Sequence, residues 1–573
     1  MKFKELSLYL EKLEQTSSRN EITSILADLL KTVPPEDIEN VIYLMSGRLG
    51  PNYKNTEFQI AEKLVLVILA RSYGVELTEV QRSYKEKGDI GVVAEELANK
   101  EQRTKNKEQG IAEIHQQLLQ VAQVSGGGSV EKKVDGVAEI LKSVDPLSAR
   151  YIARIPTGNL RLGFSEKTVI DALSVMECGT KEKAKQILKA YEVVPDLGIL
   201  AREIKLNGID KATKHITPKV GIPVMPMLCS RIKSPTEMIK KMGEVAVEPK
   251  FDGLRVLIHF SKPKKILRAF TRNLKDISQM FPELSKVGDY VDADEFILDS
   301  EAVGMDPELL TLADFQTTMH RRRKHNIEES QKSIPLSFQV FDILLINKES
   351  QMDVPYLERR EQLKKLIKPN PLLKLDDYTI TSDPELITKL HKELRSKGLE
   401  GIIVKRKDGG YIPGRTGWNW VKMKEAEDSI GKLSDTIDGV IMGFTSGKGK
   451  RVGFGIGQFL VGVKEKDQFL TLTKVGTGLS DAEFQELSKR LQPLVTEIKP
   501  DEYEAHKDLT PDFWVKPEVV VELAGDDLTM SPKHTSGYAL RFPRLVKFRD
   551  DKSASGATTV KEVKKIFDMQ KTS

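Results

Sequence analysis

Two cysteines, Cys178 and Cys229, are all that 573 residues contain. That scarcity excludes a four-cysteine zinc module and a disulfide-stapled scaffold. Also lacking is any apolar run of transmembrane length, and residues 1–30 are amphipathic without the apolar block of a signal peptide. The expectation is a cytoplasmic protein. No Gly-x-x-x-x-Gly-Lys-Ser/Thr stretch occurs, so any phosphate chemistry here does not use a P-loop. Charge of one sign is lacking too: a net +5 neither demands nor forbids nucleic acid, and local basic clusters must carry that argument. What is present is 39% hydrophobic and 30% charged residues, the composition of an ordinary globular chain. The length suits roughly three or four domains.

The first part reads as helical. In FKELSLYLEKLEQ the residues Leu6, Tyr9, Leu10 and Leu13 recur at spacings of three and four. Ser18 with Glu21 signals a capping box for the next helix, which Pro34-Pro35 must end. Phe58 to Tyr73 predicts a core helix stopped by Gly74, and periodicity resumes over 111–124, 131–143, 165–191 and 198–206. Residues 145–163 break the pattern and carry Arg150, Arg154 and Arg161 around Gly158 and Gly163, where guanidiniums and backbone amides could meet phosphates. Taken singly, each also reads as a structural arginine. The Pro-rich stretch 218–228 predicts a linker.

From 224 onward strands alternate with helices. Val245–Glu248 and Leu254–Phe260 are β-prone runs flanking a Phe-Asp-Gly turn, with Lys250 at its mouth and Arg255 five residues on. Desolvation and a neighbouring cation both drive protons off a lysine, and only a neutral lysine can attack an electrophile. A solvated Asp-Gly hairpin reads equally well from these residues alone. Downstream, Phe296–Leu298 reads as a short strand running into Asp299, Ser300 and Glu301, and residues 337–347 as a long apolar one. Glu400 opens the strand Gly401–Lys405, a glycine-rich loop over 408–418 carries Arg415, and Trp420, Lys422 and Lys424 follow with a period of two. Lys250, Arg255, Arg272, Lys422 and Lys424 as cations, with Glu301 and Glu400 as carboxylates, jointly favour phosphoryl or nucleotidyl transfer with a divalent metal. The run Arg321-Arg322-Arg323-Lys324 reads as a solvated loop.

Residues 427–573 show short strands and glycine turns spaced as in a small five-stranded barrel, with helices at 481–491 and about 559–570 and a strand over 514–523. Residues 540–552 hold Arg541, Arg544, Lys547, Arg549 and Lys552, a patch suited to pyrophosphate or a nucleic-acid backbone.

Seven stretches in this order resemble the nucleotidyltransferase motifs of the ATP-dependent DNA ligases of the archaeal and eukaryotic replicative type. They are Lys250–Arg255, Thr271–Leu274, Phe296–Glu301, Phe338–Asp342, Glu400–Lys405, Trp420–Lys424 and Arg541–Lys552. One departure is Ser300, where relatives usually carry glycine. The resemblance covers the whole chain. It implies a multidomain α+β protein: a helical DNA-binding domain over 1–223, an adenylation domain of antiparallel sheets and helices over 224–426, and an OB-fold β-barrel with a C-terminal helix over 427–573.

By the same resemblance Lys250 is the catalytic residue, taking AMP from ATP. Glu248 and Phe341 flank the adenine, Arg255 and Glu301 contact the ribose region, and Arg272 and Arg415 hold phosphates. Lys422 and Lys424 neutralise the α-phosphate, and Glu301, Glu400 and Asp252 face a metal, Mg²⁺ or Mn²⁺ in its place. Arg541, Arg544, Arg549 and Lys552 meet DNA or pyrophosphate. The implied partners are nicked duplex DNA and a sliding clamp, without a membrane and with the enzyme a monomer. Residues 100–110 lack the aromatic pair that clamp contacts usually want. Two alternatives stay open: an RNA-capping guanylyltransferase or RNA ligase, and a non-catalytic DNA-binding scaffold. An NAD-dependent relative is disfavoured because its zinc finger cannot be built from two cysteines.

Overall fold

The computed structural model describes the chain except for residues 59, 101–107, 233, 306–333, 415–416, 425–432, 434, 448 and 573. The described residues divide into two compact units, Met1–Glu425 and Ala426–Ser573. No helix among them is long and apolar enough to cross a membrane.

The first unit begins with an all-helical region whose helices bury one apolar face each. Phe3–Glu14 buries Leu6, Leu10 and Leu13, and Ser18 caps Arg19–Thr32 by accepting from Glu21 N–H at 3.4 Å. Glu62–Tyr73 packs Val65, Leu66, Ile68 and Leu69 into the same core and ends at Gly74 with φ +64°, a left-handed cap that glycine adopts without strain. It starts at Glu62 rather than Phe58.

Residues 145–163 differ from the sequence reading. Asp145 accepts from Ser148 N–H and Pro146 occupies the first turn, so Pro146–Arg154 is a helix. Its arginines are not displayed to a ligand. The buried Arg154 guanidinium pairs with Glu14 at 2.8 Å and Asp89 at 2.9 Å, and donates to Leu160 O at 3.1 Å. Arg150 pairs with Glu95 at 2.5 Å, and Arg161 with Asp89 at 3.0 Å. The approach is tight enough to require Gly91, where a Cβ would lie 2.5 Å from Arg154 Nε and 2.6 Å from Arg150 O.

The rest of this unit is a mixed α/β region built on two sheets. Six strands matter for the site: β1 (Val245–Lys250), β2 (Leu254–Ser261), β3 (Glu295–Gly304), β4 (Leu336–Ile346), β5 (Gly401–Arg406) and β6 (Trp420–Lys424). One sheet runs in the order Ser230–Arg231, β6, β5, β1, Thr379–Thr381. It is antiparallel except that Ser230–Arg231 pairs with β6 in parallel. The other places β2 between Ile266–Thr271 and β3, with β4 beyond β3. The basic run at 321–324 lies outside the described residues.

In the second unit Ile437–Thr445, Gln458–Glu465 and Gln468–Val475 form an antiparallel meander. The first of these also pairs with Val520–Ala524, which pairs with Arg544–Phe548. A closed barrel requires Arg544–Phe548 to meet Gln468–Val475. That edge is already taken, by Tyr503–Glu504 and by Thr535, whose hydroxyl accepts from Thr471 N–H at 2.8 Å. Among the described residues the result is a curled, open sheet, with bulges at Ile441/Gly443 and Val461/Gly462, rather than the expected five-stranded barrel. The strand expected over 514–523 is two, Phe513–Val515 and Val520–Ala524, because Pro517 between them has no N–H to give a ladder. The helix Val560–Thr572 packs Val563, Ile566 and Phe567 into this unit's core.

Candidate active site

Alternation along β1, β5 and β6 sorts their side chains cleanly. Val245, Val247, Ile402, Val404 and Val421 form an apolar core with Met238, Met242 and Ile387 of the two covering helices. The opposite face therefore carries Glu248 and Lys250 from β1, Lys405 from β5, and Trp420 and Lys422 from β6. Register completes the row, since Ile403 pairs with both Glu248 and Lys422, and Gly401 with Lys250. In the other sheet β2 and β3 set Arg255 opposite Glu301. Leu257, Ile297, Phe341 and Trp420 share one apolar cluster, which brings the two polar faces together.

Lys250 is partly buried, and its ammonium is held by the Glu400 carboxylate. Burial lowers its proton affinity and the nearby Arg272 lowers it further, while Glu301 and Asp252 pull the other way. Lys422 is shifted down as well, by burial and by repulsion from Lys250, Arg231 and Arg272. Neither Lys422 nor Arg272 forms an ion pair among the described residues. Glu301 is pushed up to about 7 by burial, against the attraction of Lys250 and Arg255. The turn after Lys250 is fixed sterically: a Cβ on Gly253 would sit 2.4 Å from Ala302 O and 3.0 Å from Glu301 Cγ.

Arg255 is clamped. It makes a two-pronged contact with the fully buried Asp299, at 3.0 and 2.6 Å, and donates to Met227 O at 2.7 Å. Tyr411 OH closes the set by donating to Asp299 at 2.8 Å. The stretch 218–228 is thus more than a linker: Val224 and Met227 are buried, and Met227 backbone forms part of this wall.

Glu248 is buried and paired with Lys405 at 2.5 Å, while its other carboxylate oxygen, Oε1, is buried without a hydrogen-bond partner. Phe341 packs edge-to-face with Trp420, with centroids 6.0 Å apart. A buried acceptor left unsatisfied costs free energy, so this oxygen is a place where a ligand donor would be stabilised. Ser300 sits inside β3 rather than in a turn, because the strand continues to Gly304. Its hydroxyl donates to Val256 O at 2.8 Å and leaves Glu301 in register with Arg255.

Of the residues singled out from the sequence, the structure gathers Glu248, Lys250, Arg255, Arg272, Glu301, Phe341, Glu400 and Lys422 in one crevice. Asp252 lies exposed at its mouth. Arg415 and the side chain of Lys424 lie outside the described residues. The C-terminal cations belong to the second unit. Arg549 and Lys552 converge on Asp438 at 3.0 and 2.5 Å, Arg544 pairs with Asp526 at 2.8 Å, and Arg541 with Asp527 at 3.7 Å. Lys405, Asp299 and Tyr411 were not singled out by the sequence reading. For Lys405 a partial signal exists: a lysine in a mostly apolar strand, on the face opposite the buried Ile402 and Val404.

Comparison with known families places the crevice in context. The family described as "ATP dependent DNA ligase domain" matches residues 226–424, "DNA ligase N terminus" matches 2–174, and "ATP dependent DNA ligase C terminal region" matches 453–552. The "Probable DNA ligase" of Dictyoglomus thermophilum is 40% identical over 583 residues, covering 100% of this chain and 98% of its own. The "DNA ligase" of Saccharolobus solfataricus is 35% identical over 594 residues with the same coverage, 100% and 98%. In fold alone, the chain is similar to the solved structure "Pmar-Lig_Pre.", with a TM-score of 0.54 at 16% identity over 95% of this chain and 99% of that one.

Proposed function

This chain belongs to the ATP-dependent DNA ligases, and from that premise we propose that Lys250 is the residue that carries AMP. The protein seals nicks in duplex DNA by ATP-dependent nucleotidyl transfer. The observation that carries the residue assignment is a partly buried lysine of lowered proton affinity, next to two cations without an ion pair among the described residues and an unsatisfied carboxylate oxygen.

The sequence of bonds follows. Neutral Lys250 Nζ attacks the α-phosphorus of ATP, an N–P bond forms, and the bond to the β-phosphate oxygen breaks to release pyrophosphate. A 5′-phosphate oxygen at the nick then attacks that phosphorus and Lys250 departs, leaving AMP on the DNA. The 3′-hydroxyl oxygen attacks the activated 5′-phosphorus in line, and AMP leaves. Each step gathers negative charge on non-bridging oxygens, which Lys422 and Arg272 stabilise because no carboxylate of the described residues holds them. By the motif resemblance, Lys424 and Arg415 share this work. Glu248 Oε1 accepts from the adenine, Phe341 stacks on it, and Arg255, immobilised by Asp299, and Glu301 meet the ribose.

Among the described residues no group of three or more carboxylate, histidine or cysteine side chains forms a metal cage. Glu301 and Glu400, with Asp252 at the mouth, would hold a divalent ion such as Mg²⁺, a hard cation that prefers oxygen ligands. Such an ion, Mg²⁺ or Mn²⁺, would supply charge neutralisation at the phosphates. Three domains, 1–223, 224–426 and 427–573, divide the labour, with the first gripping duplex DNA. We assign the chain to the replicative type on the likeness of its motif order, and propose from that family a cytoplasmic monomer with a sliding clamp as partner.

The test is incubation with α-labelled ATP and Mg²⁺, then mass analysis of the protein and of Lys250→Ala. An AMP adduct on the native chain alone is expected. An adduct of equal yield on the variant would move the nucleophile elsewhere.

A further inference from the structure

Lys405 lies at the centre of the most enclosed set of charges in the crevice. It is fully buried, its ammonium sits 4.3 Å from the Trp420 ring centroid, 4.7 Å from Tyr356 and 4.8 Å from Phe341, and its ion-pair partner is Glu248 Oε2 at 2.5 Å. Three aromatic faces fix the cation in place and exclude water from it. The charged groups that face Glu248 are Lys405 from β5, Arg360 from the helix Tyr356–Leu366, and Asp376. Arg360 is committed to Asp376 at 2.9 Å and to Val340 O at 3.1 Å, so it does not replace Lys405.

We propose that Lys405 is a positioning residue for base selection: it occupies Oε2 of Glu248 and leaves Oε1 as a lone acceptor, which takes a 6-amino purine and refuses a 6-oxo purine. The proposal rests on the reading that Glu248 meets the base. A carboxylate with both oxygens free is a two-pronged acceptor that suits the adjacent N1–H and 2-amino donors of guanine. A protonated carboxyl is a donor that suits a 6-oxo group. Lys405 acts against both alternatives, the first by occupying an oxygen and the second by favouring the ionised form. Burial and Asp376 push the Glu248 carboxyl up, to about 7, while Lys405 pulls it down. Removing the ammonium therefore extends the protonated form to higher pH.

The experiment measures self-nucleotidylation with ATP and with ITP, which replaces the 6-amino group by a 6-oxo group. It runs from about pH 6 to about pH 9 on the full chain, Lys405→Met, Lys405→Arg and Glu248→Gln, with Tm recorded for each. Native protein is expected to prefer ATP, and the preference to weaken as pH falls through the Glu248 value. Lys405→Met should lower the ATP-over-ITP ratio by about tenfold at neutral pH and recover part of it at alkaline pH, with Lys405→Arg within about threefold of native.

A Lys405→Met protein that keeps the native ratio while Glu248→Gln loses it overturns the proposal and leaves Glu248 as the base contact. If Glu248→Gln also keeps the native ratio, the base-contact reading itself fails. Should Lys405→Met not fold, the native profile decides alone: a ratio flat across the whole pH range overturns the proposal.

Discussion

The helical region and the nucleotide crevice differ in how completely they pair their cations. Arg154 has two carboxylates and a carbonyl arranged around it, and Arg150 and Arg161 are matched by Glu95 and Asp89. In the crevice Lys422 and Arg272 have no such partner among the described residues, and the Lys250 ammonium and Lys422 repel each other. Both regions pair their deepest cations, the crevice holding Arg255 on Asp299 and Lys405 on Glu248, but the crevice also leaves the half-buried Lys422 and the exposed Arg272 without an ion pair among the described residues. Matched charges hold a fold; unmatched ones store an electrostatic demand that an anionic substrate meets.

The largest effect that sharpens this contrast is on stability. Arg154→Met removes the buried partner that Glu14 and Asp89 share, leaving Asp89 with Arg161 and Glu14 with Arg150 at 3.6 Å, and is expected to cost about 3 kcal/mol in chemical denaturation. The pH dependence carries a definite sign. Burial alone would raise Glu14 and Asp89, but the arginines outweigh it and hold both below their ordinary 4.5 and 3.8. Depressed carboxyls contribute stability above their unfolded values, which is lost as pH falls through the lower folded ones. In the variant burial weighs more heavily against the remaining arginines, both carboxyls are less depressed, and the deficit should shrink as pH drops through 4.5 and below. A deficit independent of pH would mean that the ion pairs are not what Arg154 contributes.

Next in size, Lys422→Met should behave inversely. Removing an unmatched cation costs no stability, yet adenylation should slow by about a hundredfold, roughly 2.7 kcal/mol of transition-state stabilisation. A fall in Tm with unchanged adenylation would reverse the assignment of the two regions.

The smallest effects belong to the second unit. Arg544→Gln breaks a half-buried pair with Asp526, worth about 1 kcal/mol, and is expected to slow self-adenylation more than sealing by pre-adenylated protein. Equal losses in the two steps would count against a role in the first.

The contrast explains what the sequence disclosed and what it hid. Alternation gives Trp420 and Lys422 one face of their strand because strand geometry is local, and the caps at Ser18 and Gly74 are legible for the same reason. The fate of Arg154 was not legible, since Glu14 lies 140 residues away and Asp89 65, and nothing within one turn of the chain announces either contact. Lys405 and Glu248 meet only through the register of β5 on β1. The open C-terminal sheet was hidden likewise, because Thr535 and Tyr503–Glu504 claim an edge that strand spacing left free for closure.

The aromatic cage of Lys405 also has an optical consequence. Of the chain's three tryptophans, Trp418 is exposed and Trp514 partly buried, while Trp420 is enclosed with an ammonium 4.3 Å from its ring centroid. An indole's emission shifts with the field across it, so Trp420 is an intrinsic voltmeter for the charge on the Glu248–Lys405 pair. A base docking on Phe341, 6.0 Å from that indole, would be read in the protein's own fluorescence before any bond to phosphorus is made or broken.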